Sequence, residues 1–259
     1  QAGHLKLLGE DAAGAERLFA AAAEAAPAHV EAHYNRGVAL QAMLRDAEAA
    51  VSYRRTLELE PGHRGARLNL GVALRAQGLV AAALEVWAGF PGEPTAWAEL
   101  AYDIGCAHLL AGDWEKAWAF YEHRLEATRP FARPPAVDAP KWDGRALPGE
   151  TLVVHHEQGL GDTLHFVRLI PAIAGRVGRV IFVTQPALAA LLAGSPIFAA
   201  GRGIALTAEG TALPPHAAGT PLLSLPGILG IGRRTVPPVA PWLVAEAERV
   251  ARWRGHPAL

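Results

Sequence analysis

Asn35-Arg36-Gly37-Val38-Ala39-Leu40 returns 34 residues later as Asn69-Leu70-Gly71-Val72-Ala73-Leu74. The same interval extends the glycine series to Gly3 on one side and Gly105 on the other. An alanine follows each glycine after twelve residues, at Ala15, Ala49, Ala83 and Ala117, and an aromatic stands four further on, at Phe19, Tyr53, Trp87 and Tyr121. Pro27 and Pro61 close the first two units. Small residues at two fixed places in a 34-residue unit mark pairs of helices, because only Gly or Ala lets two helix backbones approach closely. The aromatic is expected to fill the space between one pair and the next. A single pair cannot bury its apolar face, so the units are expected to stack into a curved solenoid.

A period of 34 with these offsets is the tetratricopeptide signature. On its frame the units run 1–29, 30–63, 64–97 and 98–131, the first lacking part of its first helix. In the third, Phe90-Pro91-Gly92-Glu93-Pro94 is expected to end the second helix early. Trp97, Trp114 and Trp118 are expected to form core near the end of this region. Five prolines between 129 and 149 (Pro130, Pro134, Pro135, Pro140 and Pro148) are too many for a helix. The expected division is a solenoid of about 3.5 repeats over 1–131, a Pro-rich linker over 132–150, and a third segment over 151–259. In the linker, Trp142-Asp143-Gly144 reads as a turn with an anchoring indole.

From Thr151 the pattern changes. Thr151 to His156 reads as a short buried strand, Thr163 to about Val177 as a helix, Arg179 to Thr184 as a second strand, and Pro186 to Leu192 as a short helix. Gly203–Leu206 and Pro221–Leu225 are further strand candidates, and Ala245–Arg254 is helical in pattern. Strand alternating with helix predicts a parallel, doubly wound sheet. The expected fold class is therefore an α solenoid followed by an α/β Rossmann-like lobe.

Composition narrows the function classes. Apolar residues make up 51% of the 259 and charged ones 19%, the balance of an ordered chain. The net charge of −1 supplies no field to recruit nucleic acid or an acidic membrane. Cys106 is the single cysteine, which excludes an intrachain disulfide and fits a reducing cytoplasm. No leader or bilayer-length apolar run is expected. No Cys/His cluster has metal spacing, so no metal site is expected. The chain starts at Gln1 inside the first helix of a repeat and stops at Leu259 just past a helical stretch; it reads as a fragment.

His155-His156-Glu157-Gln158-Gly159-Leu160-Gly161-Asp162-Thr163-Leu164 is the chemically richest segment. A strand ending in Gly-x-Gly and opening a helix aims backbone N–H groups and a positive helix end at one point, which suits a diphosphate; Gly159, Leu160, Gly161 and Thr163 are the candidate contacts. The alternative is structural: the glycines allow the turn and Asp162 caps the helix. Leu164 occupies the place of the third glycine of the dinucleotide fingerprint. His155 and His156, adjacent on a strand, are expected on opposite faces. Ser224 either reaches a cleft rim or bonds nearby backbone.

The run Glu157-Gln158-Gly159-Leu160-Gly161-Asp162-Thr163-Leu164, with Trp142-Asp143-Gly144 upstream and Ser224-Leu225-Pro226 downstream, resembles a family of bacterial proteins in which tetratricopeptide repeats precede a glycosyltransferase-like region. That region is similar to the heptosyltransferases, transferases of the two-domain GT-B type, and more distantly to the repeat-bearing O-GlcNAc transferases. The resemblance covers essentially the whole chain. It implies that Gly161-Asp162 match the pair opening the first helix of the acceptor domain, with Asp162 as catalytic base, and that His165 matches a histidine found in some members. Glu157 is the second candidate base, or a residue that holds the turn. His156 and His165 depart from the residues usual in the closest members. The family's second domain, which holds most nucleotide-sugar contacts, would begin where this chain ends.

The residue two before each repeat glycine is expected on the concave side: Gln1, Asn35, Asn69 and Asp103. A column of amides and a carboxylate suits an extended peptide, and resembles the asparagine ladder of O-GlcNAc transferases; asparagine is also common there in such repeats. Arg36, Arg45, Arg54 and Arg55 read as a solvated face. Two functions remain. One is part of an inverting, metal-independent glycosyltransferase, with a protein or peptide in the groove, a nucleotide sugar as donor, no cofactor, and no turnover by this chain alone. The other is a non-catalytic interaction scaffold carrying a relic lobe. Neither calls for nucleic acid or membrane partners.

Overall fold

A computed structural model describes residues 11–90, 92–127, 137–237, 241–245 and 247–254. Gln1, Gly3 and the prolines at 130, 134 and 135 lie outside these. The chain divides into two compact units, Gln1–Thr128 and Arg129–Leu259.

The first unit is a run of antiparallel helices: α1 (Ala12–Ala25), α2 (Val30–Ala42), α3 (Asp46–Leu59), α4 (Arg64–Ala76), α5 (Val80–Ala88), α6 (Ala98–Ala111) and α7 (Trp114–Tyr121). Helices α2/α3, α4/α5 and α6/α7 are the expected pairs. This is the tetratricopeptide-type arrangement. The repeat glycine meets the aromatic of its own pair. A Cβ on Gly37 would come within 2.6 Å of the Tyr53 ring, and one on Gly71 within 2.1 Å of the Trp87 indole. At Gly105 the obstacle is the backbone of Phe120 and Tyr121. The aromatic therefore makes close contact within its own pair. Hydrogen bonds hold the rings there: Tyr53 Oη donates to Gln41 Oε1 (2.8 Å), and Trp87 Nε1 donates to the Leu68 carbonyl (3.2 Å). Tyr53, Trp87 and the alanines at 49, 83 and 117 are fully buried. Burial pushes the Tyr53 phenol well above the usual tyrosine range, so it stays a donor.

Helix starts repeat too. His29 and His63 each accept, on Nδ1, the backbone N–H three residues on (Ala32, 3.2 Å; Ala66, 3.0 Å), capping α2 and α4. Helix α5 stops at Ala88, and a 3-10 turn at Pro94–Ala96 leads into α6. Trp97 is 38% exposed, edge-on to Phe90 and beneath the Arg64 guanidinium, so it shields the surface and is not core; Trp114 and Trp118 are half-buried. On the arginine face, Arg36 pairs with Glu16, Arg45 with Glu48 and Arg55 with Glu58, contacts worth little at an exposed surface.

The second unit holds one parallel sheet, β1 (Leu147–His155), β2 (Val177–Thr184), β3 (Ile204–Ala208) and β4 (Ala218–Pro221), in the order β3-β2-β1-β4. Leu152, Val153 and Val154 are all fully buried, so the sheet is covered on both faces. Val153, Ile181 and Val183 pack with Val137 and Leu213 on one of them. Ahead of β1, Trp142 is buried, and its indole N–H donates to the Arg145 carbonyl (2.9 Å) across the turn at Gly144.

Several element boundaries differ from expectation, three of them at prolines. The helix expected over 163–177 is broken into α8 (Leu160–Phe166), a 3-10 turn and α9 (Pro171–Ala174), because Pro171 has no N–H to continue the ladder. Strand β1 begins at Leu147, four residues early, with an irregularity before Thr151 at Pro148-Gly149. The last strand ends at Pro221, where Pro removes a ladder donor, and Leu222–Ser224 is a 3-10 turn before α11 (Leu225–Ile228). Helix α10 (Pro186–Ala193) follows β2, and α12 (Ala247–Arg254) closes the described chain.

The turn between α2 and α3 contains Leu44 at φ 59°, left-handed backbone that its repeat equivalents fill with Gly78 (φ 78°) and Gly112 (φ 83°). Leu44 is 85% exposed and gains little packing in return. A left-handed L-residue costs about 1–2 kcal/mol, partly offset by the greater chain entropy of glycine. Leu44→Gly should therefore raise stability by up to about 1 kcal/mol, seen as a higher urea midpoint; a lower midpoint would contradict this.

Candidate functional site

In an open parallel sheet the crevice forms where successive connections leave in opposite directions, at the carboxyl ends of the strands. Here β2 and β3 lie to one side of β1 and β4 to the other, so the switch point falls between β1 and β4. The segment after β1 and the segment after β4 meet there. Glu157 joins them: its carboxylate is buried, and Oε1 accepts the Leu223 N–H at 3.0 Å. Ser224, next to Leu223, is buried too.

Past Glu157 the chain turns outward. Gly159, Leu160 and Gly161 are exposed, and Gly159 is the N-cap of α8. Asp162 is half-buried at the third helical position, where its Oδ2 accepts the Gly159 N–H at 3.0 Å, the returning half of a capping box. Thr163 is buried and donates to Gln185 Oε1 (3.0 Å), while Gln185 Nε2 donates to the Gln158 carbonyl (3.1 Å), tying the turn to the end of β2. His165 is exposed, edge-on to Phe166; partial desolvation, then Arg168, lowers its pKa, against the opposing pull of Asp162. Trp242, from the segment ahead of α12, clasps α8: its indole N–H donates to the Leu164 carbonyl (2.9 Å), and Arg168 lies over its ring.

His155 and His156, expected on opposite faces, bond differently. His155 Nδ1–H donates to the His156 carbonyl (3.1 Å), whereas His156 Nε2 meets Glu209 Oε2 (3.2 Å) at the end of β3. The pairing with Glu209 was not legible in sequence, since 53 residues separate the two. Among the described residues no three His, Cys, Asp or Glu side chains gather in metal-binding geometry, and no helix is long and apolar enough to cross a membrane.

In the helical unit the column of short polar groups is uneven. Asn35 is half-buried and makes no side-chain hydrogen bond to a described residue. Asn69 Nδ2 donates to Tyr34 Oη at 3.4 Å, and the Tyr34 ring lies tilted against His63, centroids 4.6 Å apart. Asp103 is fully buried and accepts from Arg75 Nη2 at 3.2 Å, so the fourth position presents an ion pair and not an open carboxylate.

No family model matches the chain. A stretch of 88 residues, 34% of the chain, is 30% identical to Protein FlbA of Caulobacter vibrioides and spans 15% of that protein. Among solved structures, the crystal structure of MamA superposes with a TM-score of 0.43 at 23% identity, over 46% of this chain and 70% of that one. A MamA double mutant gives 0.41 at 20% identity, over 48% and 74%. A mutant O-GlcNAc transferase of Thermobaculum terrenum gives 0.32 at 22% identity, over 71% of this chain and 38% of the transferase.

The two carboxylates of the turn differ in what their loss exposes. Removing Glu157 leaves a buried Leu223 N–H unpaired, at about 1–3 kcal/mol. Removing Asp162 frees an exposed N–H that water can satisfy, at about 1 kcal/mol or less. In urea unfolding, Glu157→Ala should lower stability more than Asp162→Ala; the reverse order would show that the clasp between the β1 and β4 segments is not what holds the turn.

Proposed function

We propose that the helical repeats bind an extended segment of a partner protein, and that the α/β unit is a Rossmann-like lobe forming the acceptor side of a GT-B nucleotide-sugar transferase. The observation that carries the second half is the parallel order β3-β2-β1-β4 with an exposed Gly-x-Gly turn beside its switch point. Backbone N–H groups at that turn suit the charge that grows on a departing diphosphate. Asp162 is the candidate base: half-exposed, with one oxygen on the Gly159 N–H and the other left to approach an acceptor hydroxyl. A base must come within about 3 Å of the proton it removes. Glu157 is the weaker candidate, because it is buried and bonded to Leu223. For the repeats, Asn35 and Asn69 are the contacts offered to a peptide backbone, and Asp103 would act through Arg75.

The same carboxylates favour a second reading, an interaction scaffold whose lobe does no chemistry. Both are engaged in holding backbone N–H groups, a structural use that needs no substrate.

The test is sugar transfer by the protein that carries this chain, supplied with radiolabelled nucleotide sugars, alongside its Asp162→Asn variant. The transferase reading expects transfer that falls at least about 100-fold in the variant, with an unchanged unfolding midpoint. Transfer that survives the substitution overturns Asp162 as base. No transfer by either protein supports the scaffold.

A further inference from the structure

Three buried polar atoms at the carboxyl edge of the sheet lack a hydrogen-bond partner among the described residues: His156 Nδ1, Gln158 Nε2 and Thr184 Oγ1. Their residues are neighbours in the hydrogen-bond pattern. The His156 N–H donates to Val183 O, which sets His156 beside Thr184; Thr184 O accepts from the Glu209 N–H; and Gln185, next to Thr184, holds the Gln158 carbonyl. His156 is 7% exposed and Thr184 is wholly buried. Orphaned groups this deep are costly unless something satisfies them.

The chemistry of the three is complementary. Glu209 carries an acceptor-only carboxylate, so the contact at 3.2 Å requires the proton of a neutral His156 ring on Nε2. Nδ1 is then a bare lone pair that needs a donor. Gln158 Nε2 is a donor, and the Thr184 hydroxyl can be one. A single oxygen with a proton to give and two lone pairs meets all three demands. Buried waters in proteins typically make about three such bonds to otherwise unsatisfied groups.

We infer that His156, Gln158 and Thr184 form a hydroxyl-binding site, occupied in this chain by one internal water that donates its proton to His156 Nδ1. The site lies on the β2–β3 side of β1 and does not depend on the transferase reading.

Thr184→Val tests it, because valine keeps the shape and deletes the hydroxyl. If the hydroxyl holds a water, the variant unfolds at a lower urea concentration than the wild type. If the hydroxyl is simply unsatisfied, deleting it leaves the midpoint unchanged or raises it, and the inference fails. The wild-type chain provides a check independent of how the variant folds. Nitrogen NMR should find neutral His156 protonated on Nε2 alone, with magnetisation transfer from a long-lived water to its ring. A ring protonated on Nδ1, or the absence of that transfer, overturns the site.

Discussion

Two helix pairs of the first unit, α2/α3 and α4/α5, are built on a ring pressed against a backbone that has no side chain. At Gly71 the Trp87 indole occupies the space a Cβ would need, and at Gly37 the Tyr53 ring does the same. Glycine in a helix interior costs about 1 kcal/mol relative to alanine. Burial of an indole is worth more, since large aromatic truncations in cores cost about 3–5 kcal/mol. Ring burial therefore outweighs helix propensity, and the repeat carries glycine within helices where propensity alone would choose alanine. The close approach then decides where the next turn begins, and His29 and His63 cap the helices that follow at the same interval.

The α/β unit rests on a different constraint. A parallel sheet covered on both faces leaves only its strand ends for polar chemistry, and here those ends are cross-linked. Glu157 ties the β1 segment to the β4 segment, Gln185 ties it to β2, and the His156–Glu209 contact reaches the end of β3. The exposed turn at 159–161 projects from this fixed base. A rigid edge with one exposed loop is what a binding or catalytic site needs, and also what a stable fold needs. The same geometry thus supports both readings of function.

The repeat was legible because its information is local and periodic: glycine, alanine and aromatic recur at fixed offsets, and helices follow. That the ring meets the glycine of its own pair was not, since offsets alone do not show that contact. Asp103 was legible as the fourth member of a column but not as the buried partner of Arg75, an ion pair made across 28 residues. In the second unit the first three strands read close to their places by their apolar runs, whereas the fourth, expected over Pro221–Leu225, lies at Ala218–Pro221. Pro171 and Pro221 each lack the donor that would carry an element further. The candidate turn was found by its glycines. The polar cluster at His156, Gln158 and Thr184 was not, because strands 28 residues apart in sequence bring it together.

The most direct test of the close-packed ring is the sign of one substitution in two backgrounds. In the wild type, Gly71→Ala gains about 1 kcal/mol of helix propensity but overpacks the indole, at about 1–3 kcal/mol, so the urea midpoint should fall. In a Trp87→Leu background the obstructing ring is gone, and the same substitution should raise the midpoint. A change of the same sign and size in both backgrounds would mean that the indole does not dictate the glycine.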